Sequence, residues 1–214
     1  MNILVTGGTG FLGGALVPKL REAGHHVRLI SRKTLPAAWT TGAQPVEFVQ
    51  SDLADRHAVR RAIAGVDVIY HFAGLVSFRN EDARKMYELH VDCTRELLRD
   101  VITSGAKPRI ILASTSGTIA AFTGARVGAE SDDYPIETVG RWPYYLSKIY
   151  QEKLSIEMCR QHQIPLVILN PSLLMGPGDD RLSSTWTIVK FIQRDIPAMP
   201  GGGICLVDVR DVAD

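Results

Sequence analysis

The sequence lacks an excess of charge of either sign. Its 214 residues include 24 Lys or Arg and 23 Asp or Glu, for a formal net charge of +1. Such a balance creates no broad field that would attract nucleic acid or an anionic membrane surface. The sequence also lacks any apolar run near the roughly 18 residues of a membrane-spanning helix. We therefore expect neither nucleic acid nor a membrane as a partner.

Cysteine is scarce as well. The three cysteines, Cys93, Cys159 and Cys205, are far apart and odd in number. This pattern excludes a disulfide framework and does not match metal-ligand spacing, so it predicts free thiols in a reducing compartment and no bound metal. The chain starts with a strand-like run, residues 2–5, without the features of a cleavable signal. A cytoplasmic location is the expectation.

Short apolar segments alternate with longer helical patterns along the chain. The strand candidates are residues 3–6, 27–31, 46–50, 66–72, 109–113 and 166–170, and the helix candidates are 11–23, 56–64, 82–104 and 143–163. Continuous apolar runs such as 110–112 are typical of strands buried on both faces of a parallel sheet. The alternation predicts an α/β fold, a doubly wound parallel sheet of the Rossmann type.

A glycine-rich loop joins the first strand to the first helix. Gly7, Gly10 and Gly13 give the pattern G-x-x-G-x-x-G. The first helix opens within this pattern, at Phe11 and Leu12. These glycines permit a tight turn, close approach of a pyrophosphate and close packing of helix on strand. A plain strand-to-helix turn is the alternative, but the position between an apolar strand and a helix favours a dinucleotide site.

The charges after the second strand bear on the choice of cofactor. An NAD site usually has an acidic residue there for the ribose 2′-hydroxyl. Residues 24–45 contain no acid and instead offer Arg32 and Lys33. Because an arginine can pair with a 2′-phosphate, we expect NADP(H), with NAD(H) as the alternative. A solvated basic turn would have the same sequence.

A Tyr-x-x-Ser-Lys motif opens the last long helix. Tyr144 and Lys148 are four residues apart, so they share one helix face. An ammonium group near the phenol is expected to lower the pKa of Tyr144 and let it exchange a proton with an alcohol or alkoxide. The same spacing occurs by chance in amphipathic helices with a surface lysine.

Hydroxyl groups follow the predicted strand 109–113. Ser114, Thr115 and Ser116 stand at its C-terminal end, where ligands meet a doubly wound sheet. Their hydroxyls are candidates for polarising a substrate carbonyl, and capping of the turn is the alternative.

With these motifs together, the chain resembles the extended branch of the short-chain dehydrogenase/reductase superfamily, the NAD-dependent epimerase/dehydratase family. It looks most similar to dihydroflavonol-reductase and hydroxysteroid-dehydrogenase members. Further matching stretches are residues 51–53, 71–74, 170–172, 176–179 and 207–211. The resemblance implies that Thr115, Tyr144 and Lys148 are catalytic, with Lys148 also holding the nicotinamide ribose. Ser114 or Ser116 stays open as the catalytic hydroxyl.

The resemblance also implies a path for the cofactor. The residues that it adds to the glycine loop and the basic pair are Asp52 and Leu53 beside the adenine, Ala73 and Gly74 along the cofactor, and Pro171 and Ser172 beside the nicotinamide. One departure is His90, which stands where the family often has an asparagine that supports the proton network. A histidine that fills space in the helix is the favoured interpretation.

We expect residues 1–170 to form the dinucleotide-binding domain and residues 171–214 to begin a substrate-binding region. A strand at 204–207 followed by a helix from Asp208 indicates that this region is incomplete at Asp214. The resemblance further implies a homodimer in which the helices 82–104 and 143–163 pair across a two-fold axis.

The function expected from these features is an NADP(H)-dependent oxidoreductase that interconverts a ketone and a secondary alcohol on a small molecule. The alternative is an NAD-dependent nucleotide-sugar epimerase or dehydratase, and a non-catalytic NADP sensor is less favoured. Ser116 stands where a dehydratase would begin its acidic pair, which argues against dehydration. The sequence does not identify the substrate.

Overall fold

Six strands form one sheet in which every neighbouring pair is parallel. The computed structural model describes residues 1–41, 44–124, 126–180, 182–198 and 201–214. The strands are β1 (Asn2–Thr6), β2 (His26–Ser31), β3 (Glu47–Gln50), β4 (Val68–His71), β5 (Arg109–Ala113) and β6 (Leu166–Leu169). Their order, β3-β2-β1-β4-β5-β6, reverses between β1 and β4. A ligand crevice is expected at the C-terminal ends of those two strands.

Eight α-helices are described along the chain. They are α1 (Phe11–Glu22), α2 (Arg56–Ile63), α3 (Ala83–Tyr87), α4 (Cys93–Ser104), α5 (Ile136–Val139), α6 (Pro143–His162), α7 (Trp186–Ile192) and α8 (Val209–Ala213). A π-helical turn, Glu88–Asp92, joins α3 to α4. Among the helices of the described ranges, none has the combination of length and apolar character that crossing a bilayer requires.

The sheet separates two apolar cores. On one face, Leu4 and Ile69 of the sheet pack with Leu98 of α4. On the other face, Val5 packs with Val17 of α1, and this cluster also takes in residues of α8. Apolar side chains of one strand therefore point to both faces, as the continuous apolar runs predict. The predicted doubly wound parallel sheet is confirmed.

The predicted elements differ from the observed ones mainly at their ends. The strand expected at 66–72 pairs only over Val68–His71, and the one expected at 204–207 is β8 (Leu206–Asp208), which pairs with β7 (Leu173–Met175). The helix expected at 82–104 is observed over residues 83–104, as α3, the π turn and α4 in direct succession. The π turn interrupts it, because one extra residue is accommodated there while the axis continues. β7, α5 and α7 were not expected from the sequence.

Two aspartates cap the helices that follow them. Asp55 accepts hydrogen bonds from the backbone N–H groups of His57 and Ala58, both at 3.0 Å, and so caps α2. Asp208 accepts a hydrogen bond at 2.8 Å from the N–H of Arg210 at the start of α8. The division between residues 170 and 171 stays a prediction.

Candidate functional site

The glycine loop forms a cradle that larger residues would fill. Gly7 has φ +72°, and a Cβ on it would lie 2.5 Å from the carbonyl carbon of Phe72. A Cβ on Gly13 would lie 2.5 Å from the oxygen of Gly7. Gly10 stands at the N-cap of α1 and offers no side chain to bond the first N–H groups of that helix. These groups are therefore suited to a pyrophosphate.

A cavity of about 410 Å³ opens beside this loop. The expected residues that line it are Gly7, Gly10, Arg32, Lys33, Asp52, Leu53, Ala73 and Gly74. Lining residues that sequence reasoning missed include Thr9, Ser31, Ser51, Leu75, Lys85, Glu88, Leu89 and Cys93. The last five come from the helical segment after β4 and, for Leu75, from the loop before it. No motif marks them, because only the fold brings that segment against the sheet edge.

The other expected cofactor residues lie around this cavity rather than in its wall. Phe11 lines a neighbouring cavity of about 620 Å³. Leu12 is buried in the core beneath α1, and Gly13 packs on the loop backbone. Pro171 accepts a hydrogen bond at 2.9 Å from the N–H of Ser116, so the segment with Ser172 begins beside the hydroxyl cluster.

Both signs of charge are present at the end of the cavity nearest β2. The guanidinium of Arg32 lies 3.5 Å from the carboxylate of Asp52, and both side chains are substantially exposed. The Ser31 hydroxyl lies 3.1 Å from the Thr9 hydroxyl and accepts a hydrogen bond from the N–H of Lys33. The exposed guanidinium can pair with an anion that enters there, because a surface ion pair of this kind is weak.

The three hydroxyls after β5 have different surroundings. Ser114 is buried and donates to the carboxylate of Glu152. Thr115 caps a short 3-10 turn, Ser116–Thr118, and its side chain acts to lower the pKa of Tyr144. Of the three candidates for a catalytic hydroxyl, Thr115 is thus the one that influences the tyrosine.

Lys148 does not lower the pKa of Tyr144, contrary to the expectation from the motif. Burial raises the pKa of Tyr144, the neighbouring Tyr145 adds to this, and the bond with Thr115 opposes it. The amine of Lys148 lies 2.6 Å from the backbone oxygen of Ala113 and 2.6 Å from the Oε1 of Gln151. Burial lowers the pKa of Lys148 to about 8, against the charge of Glu152. The expected lowering of the tyrosine pKa is therefore not observed, because desolvation dominates.

His90 bridges two walls of the site. Its Nε2 accepts a hydrogen bond at 3.0 Å from the N–H of Leu75, so the proton is assigned to Nδ1, which lies 2.8 Å from the Ser147 hydroxyl. Burial lowers the pKa of His90 to about 2, with smaller effects from Lys148 and His71. A neutral histidine with both nitrogens bonded does more than fill space in the helix, which corrects the favoured interpretation.

A buried chain of polar side chains links the first strand to Lys148. Its links are Thr6 to His71 (2.7 Å), His71 to Thr94 (2.8 Å), Thr94 to Gln151 (2.8 Å) and Gln151 to Lys148 (2.6 Å). The N–H of Ala73, which lines the cavity, donates to the Thr6 hydroxyl at 3.2 Å. The cavity wall and the lysine therefore share one hydrogen-bonded network.

These features define a dinucleotide-binding Rossmann fold with a tyrosine, a lysine and a hydroxyl at the same edge of the sheet. In the part of the chain that the structure describes, no three His, Cys, Asp or Glu side chains are grouped as a metal site would require. The chain belongs to the NAD dependent epimerase/dehydratase family, whose model matches residues 3–214. The family resemblance inferred from the sequence is confirmed.

Individual relatives share this region. A dihydroflavonol 4-reductase of Zea mays is 28% identical over 191 residues, which are 82% of this chain and 53% of that protein. A UDP-glucose 4-epimerase of Neisseria meningitidis serogroup C is 33% identical over 163 residues, 72% of this chain and 47% of that protein. The chain thus spans about half of these curated relatives. The structure of Thermus thermophilus UDP-glucose 4-epimerase with NAD has the same fold, with a TM-score of 0.80, 24% identity and coverage of 100% of this chain and 72% of that one.

Proposed function

We propose that the chain is an NADP(H)-dependent oxidoreductase that interconverts a ketone and a secondary alcohol on a small molecule. The observation that carries this proposal is the position of Lys148, whose amine lies 2.6 Å from the backbone oxygen of Ala113 at the end of β5. Tyr144 stands one helical turn before it on α6, and Thr115 follows the same strand and acts on the pKa of Tyr144. The glycine-loop cavity opens at the same edge of the sheet. Residues 1–170 would hold the dinucleotide, and residues 171–214 would begin the substrate side.

The chain's own groups fit the cofactor's parts. The N-terminus of α1 would take the pyrophosphate, and Arg32 with Lys33 would take the 2′-phosphate at the rim of the cavity. Asp52 and Leu53 would flank the adenine, while Pro171 and Ser172 would border the nicotinamide. The bound dinucleotide would supply or accept the hydride.

The protein's task is to manage the proton. When a carbonyl carbon gains a hydride, its oxygen becomes negative and must be protonated. Tyr144 would donate that proton from its hydroxyl, and its raised pKa keeps the donor form present at neutral pH. Thr115 would donate a hydrogen bond to the same oxygen. Lys148, whose pKa is about 8, is mainly charged at pH 7 and would stabilise the phenolate left behind.

A second candidate is an NAD-dependent nucleotide-sugar epimerase. Two observations favour it: the relative of that name with 33% identity, and the carboxylate of Asp52 at the adenosine end of the cavity. An epimerase would oxidise and re-reduce one carbon, so it would turn over without net change of its cofactor. Net consumption or net formation of NADPH would therefore identify the oxidoreductase and distinguish it from the epimerase.

The test is a screen of ketones and secondary alcohols, read by NADPH absorbance, with UDP-sugars assayed in parallel by product analysis. On the best substrate, Tyr144→Phe should lower kcat by roughly 10²–10⁴-fold, the range for loss of a general acid, and leave NADP(H) affinity nearly unchanged. Tyr145→Phe is the matched control, since its ring packs 5.2 Å from that of Tyr144. Near-normal turnover by Tyr144→Phe would refute the proposal.

A further inference from the structure

The helix that bears Tyr144 buries a polar face. Ser147, Lys148, Gln151, Glu152 and Ser155 of α6 are all buried. Buried polar groups cost free energy unless they are hydrogen-bonded, so each of them needs partners. Ser147 bonds with His90, and Lys148 and Gln151 bond with each other. Glu152 is a buried carboxylate that the proposed chemistry does not use.

Glu152 gathers donors from separate parts of the chain. Its Oε1 accepts hydrogen bonds from the Ser114 hydroxyl, from the Thr118 hydroxyl at 2.7 Å and from the side-chain amide of Asn170 at 2.9 Å. The same carboxylate contributes to raising the pKa of Tyr134, after the larger effect of burial. Because a charged acceptor binds more strongly than a neutral one, the carboxylate holds these segments firmly.

The donors surround Thr115. Ser114 precedes it, and Thr118 follows it at the end of the 3-10 turn. The backbone oxygen of Thr115 lies 2.8 Å from the Thr118 hydroxyl and 3.3 Å from the Asn170 amide. The Thr118 hydroxyl can donate either to Glu152 or to the backbone oxygen of Thr115 at any one time. The oxygen of this hydroxyl also accepts a hydrogen bond from the Asn170 amide at 2.9 Å. The backbone on both sides of Thr115 is thereby tied to one carboxylate.

We propose that Glu152 is a positioning residue, which holds the turn at 114–118 so that the Thr115 hydroxyl faces Tyr144. The inference rests on the proposed function, because it gives Thr115 a place in the reaction. Glu152 itself does not touch the reacting oxygen. It acts through the backbone, in the same way that a small misplacement far from the chemistry slows a well-oriented reaction.

A buried carboxylate elsewhere in the chain provides the matched control. Asp100 of α4 is also buried, and it accepts bonds from Arg56 at 2.9 and 2.6 Å and from Arg60 at 2.9 Å. These partners belong to α2 and the site uses none of them. Asp100→Asn should lower thermal stability and leave kcat unchanged, which shows what a purely structural carboxylate does.

The kinetic test combines Glu152 and Thr115 variants on the substrate found by the screen. Glu152→Leu should lower kcat by about 100-fold with NADP(H) affinity unchanged. Glu152→Gln keeps an acceptor oxygen and should stay within about tenfold of the wild-type kcat. In Thr115→Val, adding Glu152→Leu should lower kcat little further. The proposal would be overturned if the two decreases in kcat multiplied in the double variant, or if Glu152→Leu kept the wild-type kcat.

A second measurement does not need turnover. The amide of Ser116 bonds to Pro171, and that of Gly117 bonds to the Thr115 hydroxyl oxygen at 3.3 Å. Both amides should exchange hydrogen faster in Glu152→Leu, but not in Asp100→Asn. Unchanged exchange would overturn the positioning role. If the wild-type protein consumed no NADPH while this exchange rose as expected, the proposed function would fail and the positioning role would stand.

Discussion

The Nδ1 of His90 lies 2.8 Å from the hydroxyl of Ser147, and that hydroxyl donates at 2.8 Å to the backbone oxygen of Tyr144. On its other side the imidazole accepts the N–H of Leu75, a residue that lines the cavity. The first turn of α6 is thus tied to the cavity wall by a neutral ring. An asparagine at this position would be shorter and would not reach both partners in the same way.

The two buried imidazoles predict how stability varies with pH. Burial lowers the pKa of His71 to about 3 and that of His90 to about 2, below the unfolded value near 6.5. Below pH 6.5 the unfolded chain therefore binds protons that the folded chain does not. Each histidine should remove about 2 kcal/mol from the free energy of unfolding between pH 6.5 and 5, measured by urea unfolding.

Replacement of one imidazole gives the control for this dependence of the free energy of unfolding on pH. His90→Asn should halve the contribution of the two histidines over the same pH range, whatever its effect on stability at pH 7.5. Above pH 6.5 their contribution is fully present and should not vary. A free energy of unfolding that stayed constant from pH 7.5 to 5 would contradict the neutral, buried state of both rings.

Loss of the lysine should affect binding and turnover together. We predict that Lys148→Ala lowers NADP(H) affinity and kcat, because the ammonium is proposed to serve the nicotinamide ribose and the phenolate of Tyr144. Fluorescence titration and initial rates measure the two effects. Lys107→Ala, an exposed lysine bonded to Gln163, is the control and should leave both unchanged. Normal affinity in Lys148→Ala would remove the ribose role.

Cofactor preference should depend on the basic pair at the rim of the cavity. NADP(H) should raise the melting temperature more than NAD(H) at equal concentration, since each ligand stabilises by RT ln(1 + [L]/Kd). Arg32→Glu should narrow or invert that difference, because the new carboxylate repels a 2′-phosphate and can accept from a 2′-hydroxyl. Arg160→Glu, at the far end of α6, should leave the preference intact. Equal or larger shifts with NAD(H) in the wild type would contradict an NADP site.

A homodimer is predicted to form through the helical segment α3–α4 and through α6. The rings of Tyr87 and Tyr150 meet edge to face, 6.2 Å apart, yet both remain substantially exposed, as does Ile156. A self-complementary two-fold contact would bury them. Light scattering at high micromolar concentration should give twice the monomer mass, and Tyr150→Glu should reduce it to that of one chain. A monomeric wild type would refute the prediction.

Regular features of the fold could be predicted because short-range patterns encode them. The core strands are continuous apolar runs, and Asp55 has the residue type and position of a helix cap, so both follow from sequence. The π turn could not be predicted, since its residues continue the helical pattern on either side. β7 is only three residues long and pairs with a strand about 30 residues further along the chain, which leaves little local signal.

The site was predictable in its parts but not in its connections. The glycine loop, Thr115, Tyr144 and Lys148 stand in motifs, and the structure brings them to one edge of the sheet. The bonds of Lys148 to Ala113 and Gln151 depend on tertiary packing, as do those of Glu152 to Ser114. Desolvation of Tyr144 likewise depends on its neighbours in space, so its raised pKa has no sequence signal.

The π turn at Glu88–Asp92 has a consequence for anyone who transplants this site into another scaffold. It holds one residue more than a regular helical turn, and each residue rotates a helix by about 100°. Shortening it would give a more regular helix, yet Thr94 and Asp100 would turn away from Gln151 and Arg56. Idealising this helix would thus dismantle the network behind Lys148, so the irregular turn belongs to the minimal set that must be copied.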